Sequence, residues 1–523
     1  AFEDTAVADA IETVMPDLIE IFAGGQDVVA LEPVGPEDVD AAKQETLAVK
    51  HVFMEENDGF NLLYDYCKDA AILKTGIFKT SKGTRQEDQR DVHERVLPEV
   101  AYFYTKEGAE IDITEQHEDG LISFTATRTK EVPFVEVSVV PPEDFAVGLD
   151  TVNLKAGTYC VQRSTHRAQA LIDDGYDEDK VMAAKSSGAR NDSVSRARDT
   201  VEPGDVTIAA SHSDMLKQVE IDEHYLRFDP DGEGLRVFQI VTDGSESTVF
   251  EINEVDGFPY SVGAPIRNPH RFYGMSLADK LIEIQSINTS LQRLLLDSGY
   301  FAINQRHEIV MAKAHEDTIK EYMKNTPGGA VPVEAEGCIR PIGGAGLSFD
   351  AITALEYIAT KGEERSGVLR SAQGINPDTL HDTAKGAQIL ISAAQKRTKL
   401  IARLLAEGIK DMFGQVHDLL RSNGQEIRVR LSEAEFVPVD PSNWGARKDF
   451  KIKIGVGSAG REERLAALSG IVSRQAEAVN LQGGVDGPLV TLENVHAANT
   501  DLAKEAGLPN PERYFTAPGE AEP

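Results

Sequence analysis

The sequence predicts an α+β protein built from several packed regions, and three observations lead there. The chain of 523 residues is far longer than the ~100 to 200 residues of one typical domain. Apolar residues recur at helical spacing near both ends, whereas the stretch from about residue 100 to 149 and the surroundings of residue 235 alternate with a period of two. The composition, 41% hydrophobic, 7% aromatic and 27% charged, is that of an ordinary globular chain without a disordered or collagenous bias.

Charge narrows the function classes. The formal net charge is −34, which excludes a generic nucleic-acid binder working by counterion release and leaves only local or weak contact with DNA. Cys67, Cys160 and Cys338 are odd in number and far apart, so they build neither a disulfide framework nor a metal knuckle. No apolar run approaches the ~20 residues needed to cross a bilayer, and the acidic N-terminus lacks the basic flank of a secretion signal. A soluble protein with no membrane partner is expected.

Residues 1–60 carry 15 acidic and 2 basic side chains, yet Ile11, Val14, Met15, Leu18, Ile19 and Phe22 fall on one helical face. After the break at Pro33-Val34-Gly35-Pro36, a helical pattern resumes from Asp38 to Asn57, with Asp38 or Asp40 as cap. Strands are expected from Leu121 to Thr127 and from Phe134 to Val139 within a mixed region starting near Val100. Between Val161 and Asp205 a helical stretch should precede an acidic, Ser-rich surface excursion. Strands return at Tyr225 to Phe228 and Leu235 to Val241.

Two motifs imitate ligand sites. Asp229-Pro230-Asp231-Gly232-Glu233-Gly234 opens like a calcium loop, but the last loop position, which requires a bidentate Glu, is Ile240, and the flanks are strands. A β-hairpin turn without a metal is expected. Gly455-Val456-Gly457-Ser458-Ala459-Gly460 is literally GxGxxG after the strand-like Lys451-Ile452-Lys453-Ile454. A dinucleotide site needs a second strand ending near an acidic residue ~20 positions on, and Glu477 instead falls in the helical stretch Glu462 to Val479. A Gly-rich strand-to-helix turn is the expectation, and no cofactor follows from it. The chain has no GxxxxGK[ST], HExxH or GxSxG pattern and no Cys/His cluster, and nothing nominates a nucleophile.

The most informative stretch runs from Pro269 to Asp279 and opens a long helix. Ser276 can cap it, with Asp279 adding negative charge at its N-terminus. Leu277, Leu281, Ile284, Ile287, Leu291 and Leu294 form one stripe, flanked by the uncharged Gln285, Ser286, Asn288, Thr289 and Ser290. Such a helix suits packing within one subunit or between identical neighbours. Next come a strand (Glu308 to Ala312), a helix (Glu316 to Met323), strands around Ala330 to Val333 and Ile339 to Ile342, and a returning helix from about Asp350 to Leu369. Ser371 to Asp382 is rich in turn formers. A helix from about Thr383 to Ser422 then extends ~60 Å and stops at Asn423-Gly424; Gly386, Gly408 and Gly414 are its weak points. Residues 383–430 hold 9 basic and 4 acidic side chains, with Lys396, Arg397, Lys399 and Arg403 concentrating the excess against an acidic neighbour or DNA. Strands at Glu426 to Arg430 and Phe450 to Ile454, and helices through Glu477 and from Val490 to Gly507, complete the chain.

Phe272-Tyr273-Gly274-x-Ser276-x-x-Asp279, followed by Ile284-Gln285-x-x-x-Thr289-x-Leu291-x-Arg293, resembles the portal proteins of podovirus-type bacteriophages. The order of the later segments is similar to that family over nearly the whole chain. The resemblance implies an α/β wing (1–270), a first stem helix (271–303) carrying Ser276, Asp279, Gln285 and Arg293, and a small α/β clip (304–346). It further implies a second stem helix (347–370), a tunnel loop (371–382), a long wing helix with closing strands (383–456) and a helical crown (457–523). The tunnel-loop residues Gln373, Gly374, Ile375, Asn376, Pro377, Asp378, Thr379 and Leu380 would face a DNA channel.

What the resemblance implies about function is non-enzymatic. Identical copies, a dodecamer in the family, would form a ring at one vertex of the capsid, assembled in the host bacterial cytoplasm and carried in the virion. Double-stranded DNA would pass through it without sequence preference. The terminase large subunit, then tail adaptor proteins, would dock on it, with capsid and scaffolding protein as further partners. Two other readings stay open at this point: a dinucleotide-dependent cytoplasmic oxidoreductase using Gly455, Gly457 and Gly460, and a non-phage oligomeric scaffold.

Overall fold

The computed structural model describes residues 3–24, 29–33, 38–106, 108–117, 121–184, 217–303, 306–324, 328–342, 349–368, 384–424, 427–430, 436–445, 450–452, 457–484, 487–508 and 511–516. Helix and strand are mixed, at 50% and 26%, as an α+β class requires. The chain divides into two compact units: one of residues 1–14, 71–73 and 275–397, the other of residues 15–70, 74–274 and 398–523.

The second unit is organised by two sheets. In the five-stranded sheet, Phe145–Val147, Tyr159–Arg167, Gln218–Phe228, Arg236–Asp243 and Val249–Val255 lie in sequence order. The turn expected at Asp229 to Gly234 is there: the Asp229 carboxylate accepts from the backbone N–H groups of Asp231, Gly232 and Gly234 at 3.3, 2.6 and 3.2 Å. Gly232 and Gly234 both have positive φ, a conformation without penalty only for residues lacking a Cβ. That carboxylate therefore closes the turn between the antiparallel strands Gln218–Phe228 and Arg236–Asp243.

The four-stranded sheet has the order Tyr260–Gly263, Gly76–Val96, Ile122–Val139, Glu110–Gln116. Its two inner strands pair without interruption from Phe78↔Val139 to His93↔Phe124 and resume at Val96↔Ile122 after an irregularity. The two short strands expected between Leu121 and Val139 are thus one strand of 18 residues. Pro133 is tolerated because Glu110–Gln116 pairs only with residues 122–127, which leaves Pro133 at an edge. The region entered near Val100 is helical at Pro98–Lys106, with Pro98 at its start, where a missing N–H costs nothing.

A core joins the two sheets: Ile77, Val140, Phe145, Leu154, Cys160, Tyr225 and Tyr260 are mutually packed and buried. The helix Gly59–Leu73 adds Tyr66, which stacks on Phe78 at 4.2 Å and donates its hydroxyl to the Leu405 carbonyl at 3.0 Å. Leu405 belongs to the long helix Ala384–Asn423, which agrees with the length the sequence predicts. Gly408 marks a close approach of helix to sheet: a Cβ there would lie 2.3 Å from the Tyr66 hydroxyl and 2.8 Å from the Val262 carbonyl carbon. Glu45, from the helix Val39–His51, places its carboxylate 3.1 Å from His417 Nε2, and the His417 ring stacks on Trp444 at 5.1 Å.

The helical stretch expected between Val161 and Asp205 is two short helices, Ala168–Asp173 and Glu178–Ala183, and the Ser-rich segment beyond lies outside the described residues. Phe450–Ile452 pairs antiparallel with Val29–Leu31, and Gly457 and Gly460 sit in the helix Gly457–Gln482 rather than in a turn. Every strand pairing among the described residues is antiparallel. A dinucleotide fold needs a parallel βαβ unit at its glycine loop, so the oxidoreductase reading has no scaffold in these residues; Gly455 itself lies outside them.

The other unit is built on two helices, Leu277–Ile303 and Phe349–Ser366, with a small module between them in sequence. Ala10, Leu281 and Ile284 form its buried centre, with Val7, Ile358 and Val368 packed around it. In the module, His307–Ile309 pairs with Ile339–Pro341, and Thr318–Met323 is helical. The strand expected around Ala330 to Val333 reduces to one bridge, Ala314↔Val333, because Gly328 at positive φ and Pro332 interrupt extended pairing there.

Candidate functional site

Three surfaces combine exposure with charge or apolar character. The first is the helix Leu277–Ile303, ~40 Å long. Ser276 and Asp279 form a reciprocal cap: the Asp279 N–H donates to Ser276 Oγ and the Ser276 N–H to Asp279 Oδ2, both at 2.9 Å. Of the predicted stripe, Leu277, Leu281 and Ile284 are buried, whereas Ile287 and Leu294 are exposed, the latter 61%. Leu296, Tyr300 and Phe301 join them, and Ile352 and Tyr357 are exposed on Phe349–Ser366. The helix pair thus buries some of its apolar side chains internally and leaves others bare.

The polar flank of that helix has an internal partner. Gln285 Oε1 accepts from the Val7 N–H at 2.9 Å, Thr289 Oγ1 from the Asp4 N–H at 3.1 Å, and Arg293 lies 3.6 Å from Glu3. These side chains satisfy N–H groups at the start of the helix Ala6–Ala23, which the helix itself leaves without partners. Gln285 and Arg293 therefore anchor the chain's own N-terminal segment, a use that local sequence spacing does not reveal.

The second surface is the basic stretch of the long helix. Arg397 donates from Nη1 to the Glu364 carbonyl at 3.2 Å, at the C-terminal end of Phe349–Ser366, where a cation opposes the helix dipole favourably. Lys396, Lys399 and Arg403 are spaced three and four apart and so share a helix face, with Lys396 and Arg403 exposed. The four predicted cations do not act as one cluster. The tunnel-loop residues Gln373, Gly374, Ile375, Asn376, Pro377, Asp378, Thr379 and Leu380 lie outside the described residues.

Sequence reasoning missed the third surface. A cleft of about 610 Å³ opens in the sheet-bearing unit, lined by Lys155, Arg227, Arg267, Arg271 and Lys410 against Glu407, Asp411 and Asp418. Lys155 pairs with Asp411 at 2.6 Å, Arg267 with Glu407 at 3.4 Å, and Asp418 meets Arg421 at 3.6 Å. Arg227 lies over the Phe258 ring, 5.0 Å from its centre. The cations come from segments more than 250 residues apart in sequence, Lys155 to Lys410, and so no local pattern announces them.

Asp222, His224 and Glu246 bring one ligand atom each within 4.8 Å of one another. Two of them are engaged by other side chains: Asp222 accepts from Arg163 Nε at 3.0 Å, and the His224 nitrogens lie 2.9 Å from the Tyr159 hydroxyl and 3.0 Å from Thr242 Oγ1. Burial pushes the Cys67 and Cys160 thiols up to about 12, Cys160 against a lowering influence from Arg227, which suppresses the thiolate a nucleophile needs.

The exposed apolar helix faces and the charged cleft are surfaces suited to association with another molecule. The chain belongs to the Phage SU10 portal protein family, whose model matches residues 2–523. No curated protein matches it. Portal proteins are structural rather than enzymatic, associate with copies of themselves and with the capsid, and stand at a vertex of the virion. Among the described residues no helix is long and apolar enough to cross a membrane.

Proposed function

We propose that this chain forms a closed ring of identical copies, a dodecamer, through which double-stranded DNA enters the capsid during packaging and leaves at ejection. One observation carries the reading: the helix pair Leu277–Ile303 and Phe349–Ser366 buries one face internally and leaves Leu294, Leu296, Tyr300 and Tyr357 exposed. Exposed apolar side chains of this number mark an association surface, and a cyclic array of such pairs covers them by heterologous contacts that close when the rotation closes. Residues 271–303 and 347–370 are then the stem, 304–346 the clip on which the terminase large subunit and afterwards tail adaptor proteins dock, and 371–382 the tunnel loop. Residues 1–270 form the wing, 383–456 its long helix and closing strands, and 457–523 the crown.

The net charge of −34 suits a conduit. Like charge repels phosphate and keeps the strand from sticking, while Lys396, Lys399 and Arg403 offer local relief to DNA or to an acidic neighbour. Assembly takes place in the host bacterial cytoplasm, with scaffolding protein as a further partner. Negative-stain imaging of the purified chain tests the reading. Rings with a hole wide enough for a duplex, ~20 Å, are expected; a monodisperse monomer, both alone and within virions, would end it.

A further inference from the structure

The paired strands Gly76–Val96 and Ile122–Val139 form a ribbon ~70 Å long at ~3.4 Å per residue. Its far end carries a small core of its own. Ala101, Ala109, Ile122, Phe124 and Ala126 are buried there, closed over by the helix Pro98–Lys106 and the strand Glu110–Gln116. That core is incomplete as a surface. Tyr102 and Phe103, consecutive on the helix, are 70% and 66% exposed, and Val92, Leu97 and Ile113 from the same end of the ribbon are exposed as well. Such a grouping is uncommon on a surface that meets only water. The same end is acidic: residues 94–116 hold six acidic side chains (Glu94, Glu99, Glu107, Glu110, Asp112 and Glu115) and two basic ones.

Within the same unit the cleft beside the long helix has the opposite character. Five cations face three carboxylates there, a net excess of two, and once Lys155 and Arg267 are matched by Asp411 and Glu407, Arg227, Arg271 and Lys410 face the single remaining carboxylate of Asp418. Phe258 and Phe272 line it. One subunit therefore carries an acidic, aromatic projection and a basic, aromatic recess. A closed ring requires two such unlike surfaces on every copy, because its contacts are heterologous. We infer that the ribbon's end seats in the cleft of the adjacent copy, with Glu110 and Asp112 opposite Arg271 and Lys410, and Tyr102 and Phe103 against the guanidinium groups and rings. This rests on the ring reading and adds to it a second lateral contact, separate from the helix pair.

Reversed charges test the contact in the full-length chain. Glu110→Lys with Asp112→Lys, and separately Arg271→Glu with Lys410→Glu, are each expected to lower the ring fraction at fixed subunit concentration about tenfold or more, read by light scattering and negative stain. All four changes in one chain should restore rings, since each acidified cleft then meets a basic arm; a fold defect would not be rescued this way. Wild-type rings accompanied by undiminished rings of both double variants would overturn this inference and leave the ring reading standing. A wild-type chain that forms no ring at all would remove the ring reading and this contact together. Salt-sensitive binding of a labelled duplex that Arg271→Glu with Lys410→Glu abolishes and the arm variant leaves unchanged would assign the cleft to nucleic acid instead.

Discussion

The sheet-bearing unit and the helix-pair unit use apolar residues in opposite ways. Around Tyr66, Phe78 and Phe413 the large side chains are buried, and polar groups among them find partners inside the unit: the Tyr66 hydroxyl ends on the Leu405 carbonyl, and Glu45 meets His417. Along Leu277–Ile303 the same residue types run from buried Leu281 and Ile284 to exposed Leu294, Leu296 and Tyr300 within one helix. Where a chain encloses its apolar groups, they specify its own fold; where it ends the enclosure halfway along a helix, they are placed for another molecule. A substitution should therefore break the first region by unfolding it and the second by isolating it.

The largest effect belongs to the enclosed region. Gly408→Val places branched carbons where a single Cβ already lies 2.3 Å from the Tyr66 hydroxyl and 2.8 Å from the Val262 backbone. Neither neighbour is a flexible side-chain end, since Tyr66 is fully buried and Val262 is fixed in a strand. A loss of about 3 kcal/mol or more is expected in denaturant titration. A variant as stable as the parent would show that the close approach of helix and sheet is not a feature of the fold.

The exposed stripe should respond in the other direction. Leu294→Glu with Tyr300→Glu alters side chains that are 61% and 64% exposed, so unfolding of the separated subunit should change by within about 0.5 kcal/mol. Ring formation should fall about tenfold or more, since burying a carboxylate in an apolar contact is costly. Sedimentation and thermal melting of the same sample separate the two quantities. Loss of melting temperature with rings intact would reverse the assignment of the two regions.

The contrast also explains what was legible in the sequence. Ser276 and Asp279 announced their helix because a cap is a local device, satisfied within three residues. The long helix, with its stop at Asn423, was legible for the same reason, because helical hydrogen bonds are local. The ribbon was not. Its outer half, Thr84 to Glu94, reads Thr-Arg-Gln-Glu-Asp-Gln-Arg-Asp-Val-His-Glu and has almost no apolar alternation, because much of it has a single paired neighbour and water on both faces. Its pairing is encoded by Ile122–Val139, some forty residues away. The cleft was hidden for a related reason, its cations meeting only after two sheets and a helix have packed. Gln285 is legible as part of an uncharged flank and Arg293 as part of a motif, yet their observed partners, Val7 and Glu3, lie nearly 300 residues earlier.

The smallest predicted effect concerns how the enclosed region closes its turns. Asp243 ends the strand Arg236–Asp243, and its carboxylate accepts from Ser245 Oγ at 2.5 Å, the Ser247 N–H at 2.7 Å, the Thr248 N–H at 2.8 Å and Ser247 Oγ at 3.0 Å. Burial alone would raise this carboxyl, but the donated hydrogen bonds outweigh it and hold the group below the usual aspartate range. The folded state then binds its proton less readily than the unfolded chain, whose value is about 3.9. The stabilisation is fully present above about pH 4 and drains away as pH falls through the lower, folded value. Asp243→Asn keeps one acceptor oxygen and loses the charge, so it should cost about 1 kcal/mol near neutral pH and progressively less in acid. Melting both proteins from about pH 7 down to about pH 3 should show the curves converging. Curves that stay parallel throughout would mean that the charge on Asp243 contributes nothing and that the turn is held by backbone geometry alone.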